Sequence, residues 1–384
     1  MIKASIFRGL LAATLVCCVP IPGIAAKLSS IGEFSGSYRN LFLAGDTPAG
    51  DFVQTDSNRL RLQWRKNTGA WSAYVAYDNE FLVGGLLATP AFQAATRTPD
   101  PTWLDADAAI VQHSHVFWRH RLYRGWLAWE QDALLLKIGR QRIAWGSGRL
   151  WNPTDRFNPV DPTALELDQK TGADSILGEW RYSDSGALQI VTAPGRGQHK
   201  LSRKTAFRMR DTFGEMDVSM LAGRIGSETV FGADLAANVS GGGLHGELLH
   251  ARPANSASYS QLSAGYEYTL SNRLLPEGLY LLGEYFFNGA AKRLALPGAA
   301  ERLNSRVRHL FGMAAGYDIT PLIRIEISSI IDVVKGSAFI APRVTWSLAE
   351  NWQLSAFVLA FGGHAGSEFG DRANVYTAQL DVYF

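Results

Sequence analysis

Cysteine is almost missing from this chain of 384 residues: there are two, Cys17 and Cys18, both near the N-terminus. Charge is sparse as well, at 19% of residues, where a globular domain averages about 25%. Beyond the N-terminal region there is no run of about 18 uncharged apolar residues, which argues against a membrane-spanning helix. The mean hydropathy of −0.04 agrees. Amphipathic helical segments, linkers, low-complexity tracts and shifts of composition are missing too. A net charge of +2 argues against a nucleic-acid binder, which is normally basic. What is present is a chain 47% hydrophobic and 11% aromatic, too apolar for disorder.

The N-terminus reads as a leader. Lys3 and Arg8 precede an apolar stretch from Leu10 to Val19, and Pro20, Pro22 and Gly23-Ile24-Ala25-Ala26 follow. This is the order of a secretory signal peptide, expected over 1–26, with one domain over 27–384. A buried hairpin or an anchor helix is the alternative. Leu15-Val16-Cys17-Cys18 only faintly suggests a lipoprotein box, because the residue before Cys18 is not small. Removing the leader takes away two of the 37 cations, both cysteines and no acid, leaving 35 charges of each sign. Small secreted domains usually need disulfides; a large closed sheet does not.

From Ser35 onward the chain alternates in polarity. In Asn374 to Phe384, Tyr376, Ala378, Leu380, Val382 and Phe384 oppose Thr377, Gln379, Asp381 and Tyr383. In 57–65, Leu60, Leu62 and Trp64 oppose Arg59, Arg61, Gln63 and Arg65. Residues two apart share a strand face, so one face is apolar and the other repeatedly charged. A soluble sheet would need a second layer over its apolar face, and none is visible. Lipid is the remaining solvent, and a sheet in lipid must close. We count 18 candidate strands, near 33–43, 57–66, 70–79, 121–130, 134–143, 174–183, 187–193, 206–212, 216–225, 229–239, 243–251, 258–269, 278–287, 306–317, 321–333, 337–347, 352–362 and 374–384. Connections after even-numbered strands are mostly short; those after odd-numbered strands include the long ones. The expected fold is therefore all-β: a transmembrane antiparallel barrel of 16–18 strands, best 18, with short periplasmic turns and long extracellular loops. The short strand at 187–193 and the one carrying Pro342 fit least well, since a ladder proline belongs at edges or bulges.

The alternation also predicts a lumen. Its cations would be Arg39, Arg59, Arg61, Arg124, Arg181, Arg208, Arg210, Arg308, Arg324 and Arg343. Its anions would be Asp78, Glu130, Glu179, Asp217, Asp234, Glu247, Glu267, Glu284, Glu326, Asp332 and Asp381. These charges could pair across strands and stiffen the wall, or form facing cationic and anionic sectors that select solutes. Arg59 with Arg61, and Arg208 with Arg210, could make an arginine ladder. A barrel of this width encloses an aqueous channel, which something must narrow. The best candidate is the connection 144–173, with two Asn-Pro steps, an Asp-Pro step, and Arg149, Asp155, Arg156 and Asp161 beside Trp145, Trp151 and Phe157. It either folds inward as a constriction or caps the mouth.

At this stretch the sequence resembles known proteins. Leu136-Lys137-Ile138-Gly139-Arg140-Gln141, then Ala144-Trp145-Gly146 and Asn152-Pro153, resembles the Gly-Arg-Gln…Trp-Gly…Asn-Pro pattern of porin-like outer-membrane barrels, including the alginate-export and phosphate-selective-porin types. Tyr383-Phe384 resembles the aromatic C-terminal signal that such barrels present to the assembly machinery. The crowd of lysines expected of a phosphate-selective channel is missing. The resemblance implies passive passage of a solute with no cofactor, in the outer membrane of a Gram-negative bacterium.

No enzyme chemistry stands out. His113-Ser114-His115 with His120 is the densest histidine cluster, without an identifiable third metal ligand. A serine-histidine site on the outer wall would be sought at His309 beside Ser305. Trp71, Trp129, Trp180, Trp346 and Trp352 suit interfacial girdles; Trp126 is a candidate for the inside. The expected function is an outer-membrane channel for passive diffusion of small hydrophilic solutes, with anions the candidate class. The alternatives are an export channel for an anionic polysaccharide, a structural sleeve around a partner protein, and a barrel enzyme. Expected partners are outer-membrane lipid, the assembly machinery through Phe384, and further copies of the chain in a trimer. No nucleic acid and no metal are expected.

Overall fold

The structure is a computed structural model that describes residues 31–47, 50–97, 102–159, 161–166, 172–195, 203–291, 305 and 307–384. The expected leader, with Cys17 and Cys18, lies outside the described residues. The first strands are β1 (Glu33–Asp46), β2 (Phe52–Thr68), β3 (Trp71–Gly84), β4 (Asp107–Gln112), β5 (Val116–Gln131) and β6 (Leu134–Gln141). Then come β7 (Ala173–Arg181), β8 (Ala187–Ala193), β9 (Lys204–Phe213), β10 (Met216–Ile225), β11 (Glu228–Val239), β12 (Gly242–Pro253) and β13 (Tyr259–Asn272). The last are β14 (Leu275–Asn288), β15 (His309–Thr320), β16 (Ile323–Asp332), β17 (Ala338–Ala349), β18 (Trp352–Gly362) and β19 (Val375–Tyr383).

All pairings are antiparallel, and β1 meets β19 from Ser37↔Tyr383 to Gly45↔Val375, which closes the sheet. Eighteen strands form the barrel wall, as the alternation predicts. The nineteenth, β4, is not anticipated. It hydrogen-bonds to Phe117–Arg121 of β5, on the side where β6 pairs only with Gly125–Gln131. The short β6 leaves the upper wall open, and β4 fills the gap. The connection 85–115 also holds a short helix, α1 (Pro90–Arg97), which the strand alternation does not anticipate.

The alternating faces decide what the wall does. Leu136, Ile138, Ile176, Phe207, Met220, Phe231, Leu248, Ile327 and Val344 point outward and are exposed. Trp71, Trp180 and Trp346 are about half exposed near the short-turn end, where an interfacial girdle belongs. Short turns follow local chemistry: Ser240 and Gly241 both have positive φ, 52° and 78°, the pair a type I′ hairpin needs. Two irregularities matter. In β5 the register slips between Ala76↔Arg124 and Tyr77↔Leu122, which leaves Tyr123 as the extra residue of a bulge. In β17 the ladder to β18 skips Ala341 and Pro342, since proline has no N–H to give.

The buried apolar side chains lie inside the barrel. One cluster joins Ile143, Trp145 and Phe157 to Leu177, Val191, Leu221, Val230 and Leu249 of the inner wall. Another joins Trp151 to Phe286, Leu310, Ile330, Phe339 and Phe357. Both are built on the connection that follows β6.

Candidate functional site

The described residues of the connection 142–172 fold inward. Asn158 braces it by accepting a hydrogen bond from the Ile143 N–H at 2.8 Å, while the Asn158 N–H donates to Asp155 Oδ1 at 2.8 Å. Two inward carboxylates of the opposite wall then hold its backbone. Glu247 on β12 accepts from the N–H groups of Ser147 (2.8 Å), Gly148 (2.7 Å) and Thr154 (3.0 Å), and from Thr154 Oγ1 (2.7 Å) and Asn152 Nδ2 (3.0 Å). Glu284 on β14 accepts from the N–H groups of Arg149 (2.9 Å), Leu150 (3.1 Å) and Trp151 (2.8 Å), and lies 3.0 Å from His245 Nε2. Successive N–H groups aimed at one anion form a nest, here around side chains of the barrel's own wall. Gly146, at φ +92°, permits the approach: a Cβ there would lie 2.6 Å from the Glu247 carboxylate.

Ion pairs complete the attachment. Arg149 meets Glu267 at 3.0 Å, and Arg156 meets Glu228 at 2.7 Å with both side chains almost fully buried. Glu166 bonds Arg39 at 2.7 Å and also Arg59, tying the far end of the loop to β1 and β2. Burial pushes the Glu166 carboxyl up, but hydrogen bonds and charge from Arg59 and Arg39 outweigh it and hold it below the usual carboxylate range. Apolar contacts set the loop's rotation. Trp145 packs edge-on to Phe157 at 5.1 Å, and Trp151 stacks on Phe286 at 5.4 Å.

Most of the predicted charges face the lumen, and most of those are paired. Arg39 bonds Asp381 at 2.6 Å, and Arg61 grips Asp78 with two bonds of 2.6 and 2.7 Å. Arg181 meets Glu130 and Glu179 beside the short turn, Arg208 lies 3.5 Å from Asp234, and Arg210 lies 3.7 Å from Glu179. Arg324 is shared by Asp318 and Glu326, and Arg343 lies over the Phe357 ring at 4.0 Å. Asp217 accepts from Thr212 near the same short-turn end.

Five of the predicted residues lie at the rim or are taken up by local structure. Arg308 precedes β15 and is exposed at the rim. Asp332 faces inward but caps the turn after β16, accepting from the N–H groups of Val334 and Lys335. Asp155 and Asp161 are turn acceptors for Asn158 and Thr163. Arg156, in its buried pair, also lies away from open space. Apart from Arg308, each of these charges satisfies nearby backbone N–H groups or a buried partner.

The wall of β2, β3, β5 and β6 is different. Its inner face carries Arg59, Arg61, Arg65, Arg119, Arg121, Arg124 and Lys137 against the carboxylates Asp78, Glu80 and Glu130. Aromatic rings interleave with these cations. Arg61 lies 3.5 Å and Arg124 4.8 Å from the Tyr123 centroid, Lys137 3.8 Å from the Trp126 centroid, and Arg65 5.5 Å from the Tyr74 centroid. Tyr74 and Trp126 stack at 5.7 Å. Cations over ring faces keep their charge while losing water. Arg65 and Lys137 were within reach of sequence reasoning, since both alternate with outward Leu or Trp. Arg121 and Tyr123 were not, because the bulge shifts their phase.

The Gly-Arg-Gln stretch has a structural task. Arg140 fills the seam between β6 and β4, bonding Asp174 at 2.9 Å and the carbonyls of Leu122 and Leu104 at 2.8 and 2.6 Å. Gln141 donates to the Lys137 and Ser175 carbonyls. His309 faces outward but bonds Tyr285, while the Ser305 hydroxyl accepts from the Val307 N–H, so the two side chains form no pair. Among the described residues, no group of three or more His, Cys, Asp or Glu side chains is placed to hold a metal.

No family model and no curated protein matches the sequence. Solved structures do match the fold. Acinetobacter baumannii OccAB1 aligns with TM-score 0.58 at 10% identity, over 92% of this chain and 96% of that one. Pseudomonas aeruginosa OccK5 (OpdH) aligns at 0.56 and 8% identity, over 91% and 96%. The outer membrane protein OpdK of the same organism aligns at 0.55 and 11% identity, over 91% and 98%. The likeness is one of fold: a porin-like barrel of the outer-membrane kind. It does not extend to the alginate-export or phosphate-selective types suggested by the short motif.

Proposed function

We propose that this chain is a channel of the Gram-negative outer membrane for passive diffusion of small hydrophilic solutes, with a preference for anions. The observation that carries the reading is the unequal use of charge on the two walls. Four of the five inward carboxylates of β11–β14 are engaged with the loop, whereas on the inner face of β2–β6 cations outnumber carboxylates. The loop of 142–172 is the constriction, with Arg149 an exposed charge on it. One structural neighbour, OpdK, has been crystallised with vanillate, which fits a pathway for small organic anions. A sleeve around a partner protein is disfavoured, because the loop occupies the space such a partner needs. Phe384, hydrogen-bonded through its backbone to Gly36 and half exposed, is the residue we assign to recognition by the assembly machinery, and a homo-trimer is the assembly we favour.

The test is single-channel recording of the refolded chain in planar bilayers under a salt gradient. Steady openings with reversal potentials on the anion side are expected. A folded barrel that does not conduct, or that favours cations, would overturn the proposal. Block by a long polyanion rather than a small carboxylate would favour the export reading instead.

A further inference from the structure

The outer wall changes character at the far end of β8–β12. Val191, Ala193, Ala206, Ile225, Val230 and Ala251 are buried in the inner cluster. Successive strand residues alternate, so their neighbours Thr192, Thr205, Arg224, Thr229 and Arg252 face outward. These five lie in one row across five strands, each opposite the next: Thr192↔Thr205, Thr205↔Arg224, Arg224↔Thr229 and Thr229↔Arg252. The hydroxyls of Thr192 and Thr205 lie 2.9 Å apart.

The row stands at the outer boundary of the membrane. β10 is ten residues long, and about 9–11 tilted residues cross a bilayer. Arg224 is the last residue of β10 but one, at the end away from the Gly214-Glu215 turn. The connection beyond it is only Gly226-Ser227, too short to fold over the row. Arg224 and Arg252 are both exposed, and among the described residues neither has an ion pair or a hydrogen bond. The lumen arginines Arg39, Arg61 and Arg156 are by contrast each held by a carboxylate. On the outer halves of β8–β12 no acid faces outward to pair with the two.

Beneath the row the wall is apolar and furrowed. Ala222 lies between its cross-strand partners Phe207 and Phe231, whose rings are about half exposed. One step lower, Ala233 lies between Met220 and Leu248, both also about half exposed or more. Small side chains flanked by large ones leave a furrow that descends from the cations into the apolar band.

We propose that this sector of the outer wall is a binding site for one phosphate-bearing lipid of the outer leaflet. Arg224 and Arg252 are two strand spacings apart, about 10 Å, so their side chains converge over Thr229 between them. The planar guanidinium fork matches phosphate oxygens, and the Thr229 hydroxyl adds a donor. An acyl chain lies along the furrow, over Ala222 and Ala233. The furrow selects a lipid over free phosphate, and the unpaired cations select an anionic headgroup over a zwitterionic one. The inference rests on reading the chain as a membrane-spanning barrel, and is independent of what passes through it.

The experiment titrates the full-length barrel, stripped of lipid in detergent, with lipid A, an acylated sugar phosphate. The controls are the same lipid after phosphatase treatment, and inorganic phosphate. Bound lipid is counted by native mass spectrometry, folding is checked by heat-modifiable gel mobility, and insertion by planar-bilayer recording. One lipid A per barrel is expected, held in preference to the dephosphorylated form. Each interfacial cation contributes about five-fold to affinity for an anionic lipid, so Arg224→Gln/Arg252→Gln should bind about thirty-fold more weakly. Phe207→Ala/Phe231→Ala should also weaken binding, and Arg308→Gln, at an exposed rim arginine elsewhere, should not. Either double variant binding like the wild type overturns the site. So do equal binding of the dephosphorylated lipid, full displacement by inorganic phosphate, and an Arg308→Gln loss as large as that of the double variant. Should the arginine double variant fail to fold, Arg252→Gln alone decides, with about a five-fold loss expected. A barrel that inserts and conducts but takes up no lipid A refutes only this site, whereas one that does not insert refutes the membrane reading.

Discussion

The inner walls of β2–β6 and β11–β14 lie on far sides of the same barrel and use charge in different ways. On β11–β14 the inward carboxylates are Glu228, Asp234, Glu247, Glu267 and Glu284, and among the described residues no Lys or Arg faces inward there. Four of the five are bound to the loop. On β2–β6 the cations outnumber the acids and lie against rings. A carboxylate has acceptor sites for several N–H groups at once, so it suits a folded backbone that must be held. A guanidinium has only donors and a flat face, so it can rest on tyrosine and still offer N–H groups to a passing anion. One wall anchors the loop, and in the proposed channel the other, where cations outnumber acids, serves as the track.

Breaking the anchor should have the largest effect. Glu284→Ala leaves the N–H groups of Arg149, Leu150 and Trp151 without their acceptor, at about 1–3 kcal/mol each where no water replaces it. Conductance should rise several-fold with noisier openings, read in single-channel traces; an unchanged trace would separate the loop from the constriction. Neutralising the track comes next. Arg65→Gln/Arg124→Gln/Lys137→Gln should move the reversal potential from the anion side towards zero, with conductance altered less than in the Glu284 variant. If the potential stays fixed, the cations of β2–β6 do not set selectivity.

A smaller effect concerns the tie between the loop and the track. Glu166 ionises below its ordinary value of 4.5 in the folded protein. Its bonds to Arg39 and Arg59 therefore contribute fully above that value and are lost as pH falls through the lowered one. Acidification through this window should increase opening noise, and Glu166→Gln should abolish the pH step; a step that persists would place its origin elsewhere. The smallest effect belongs to Asp161→Asn, which touches only the Thr163 turn. It should leave conductance and selectivity unchanged, with a loss of stability below about 1 kcal/mol.

The sequence carried the barrel because its signal repeats. Each strand alternates, and an error in one does not disturb the next, so all 18 wall strands lie close to the expected ranges. It carried the inward faces of Arg39, Arg61 and Glu247 for the same reason. What it could not carry depends on single departures from the period. The extra residue Tyr123 turns Arg121 and Arg124, three apart, towards the same side. β4 has only six residues, too few to show a period of its own. The clasp of Glu247 and Glu284 on loop N–H groups depends on backbone atoms, which are alike at every residue and leave no mark in composition. The loop's charged side chains drew attention, yet its peptide groups make most of the bonds.

That clasp also bears on the order of assembly. Trp151 and Glu284 are separated by 133 residues, and Gly148 and Glu247 by 99. The loop cannot be fixed before β12 and β14 have joined the sheet, and such distant contacts form slowly because a long stretch of chain must first be ordered. The hairpin of β4 and β5, with only His113-Ser114-His115 between its strands, needs no such wait. The wall near the early strands is closed by neighbours in sequence, whereas the inward loop is clasped from strands far along the chain, 99 residues on for Gly148 and 133 for Trp151.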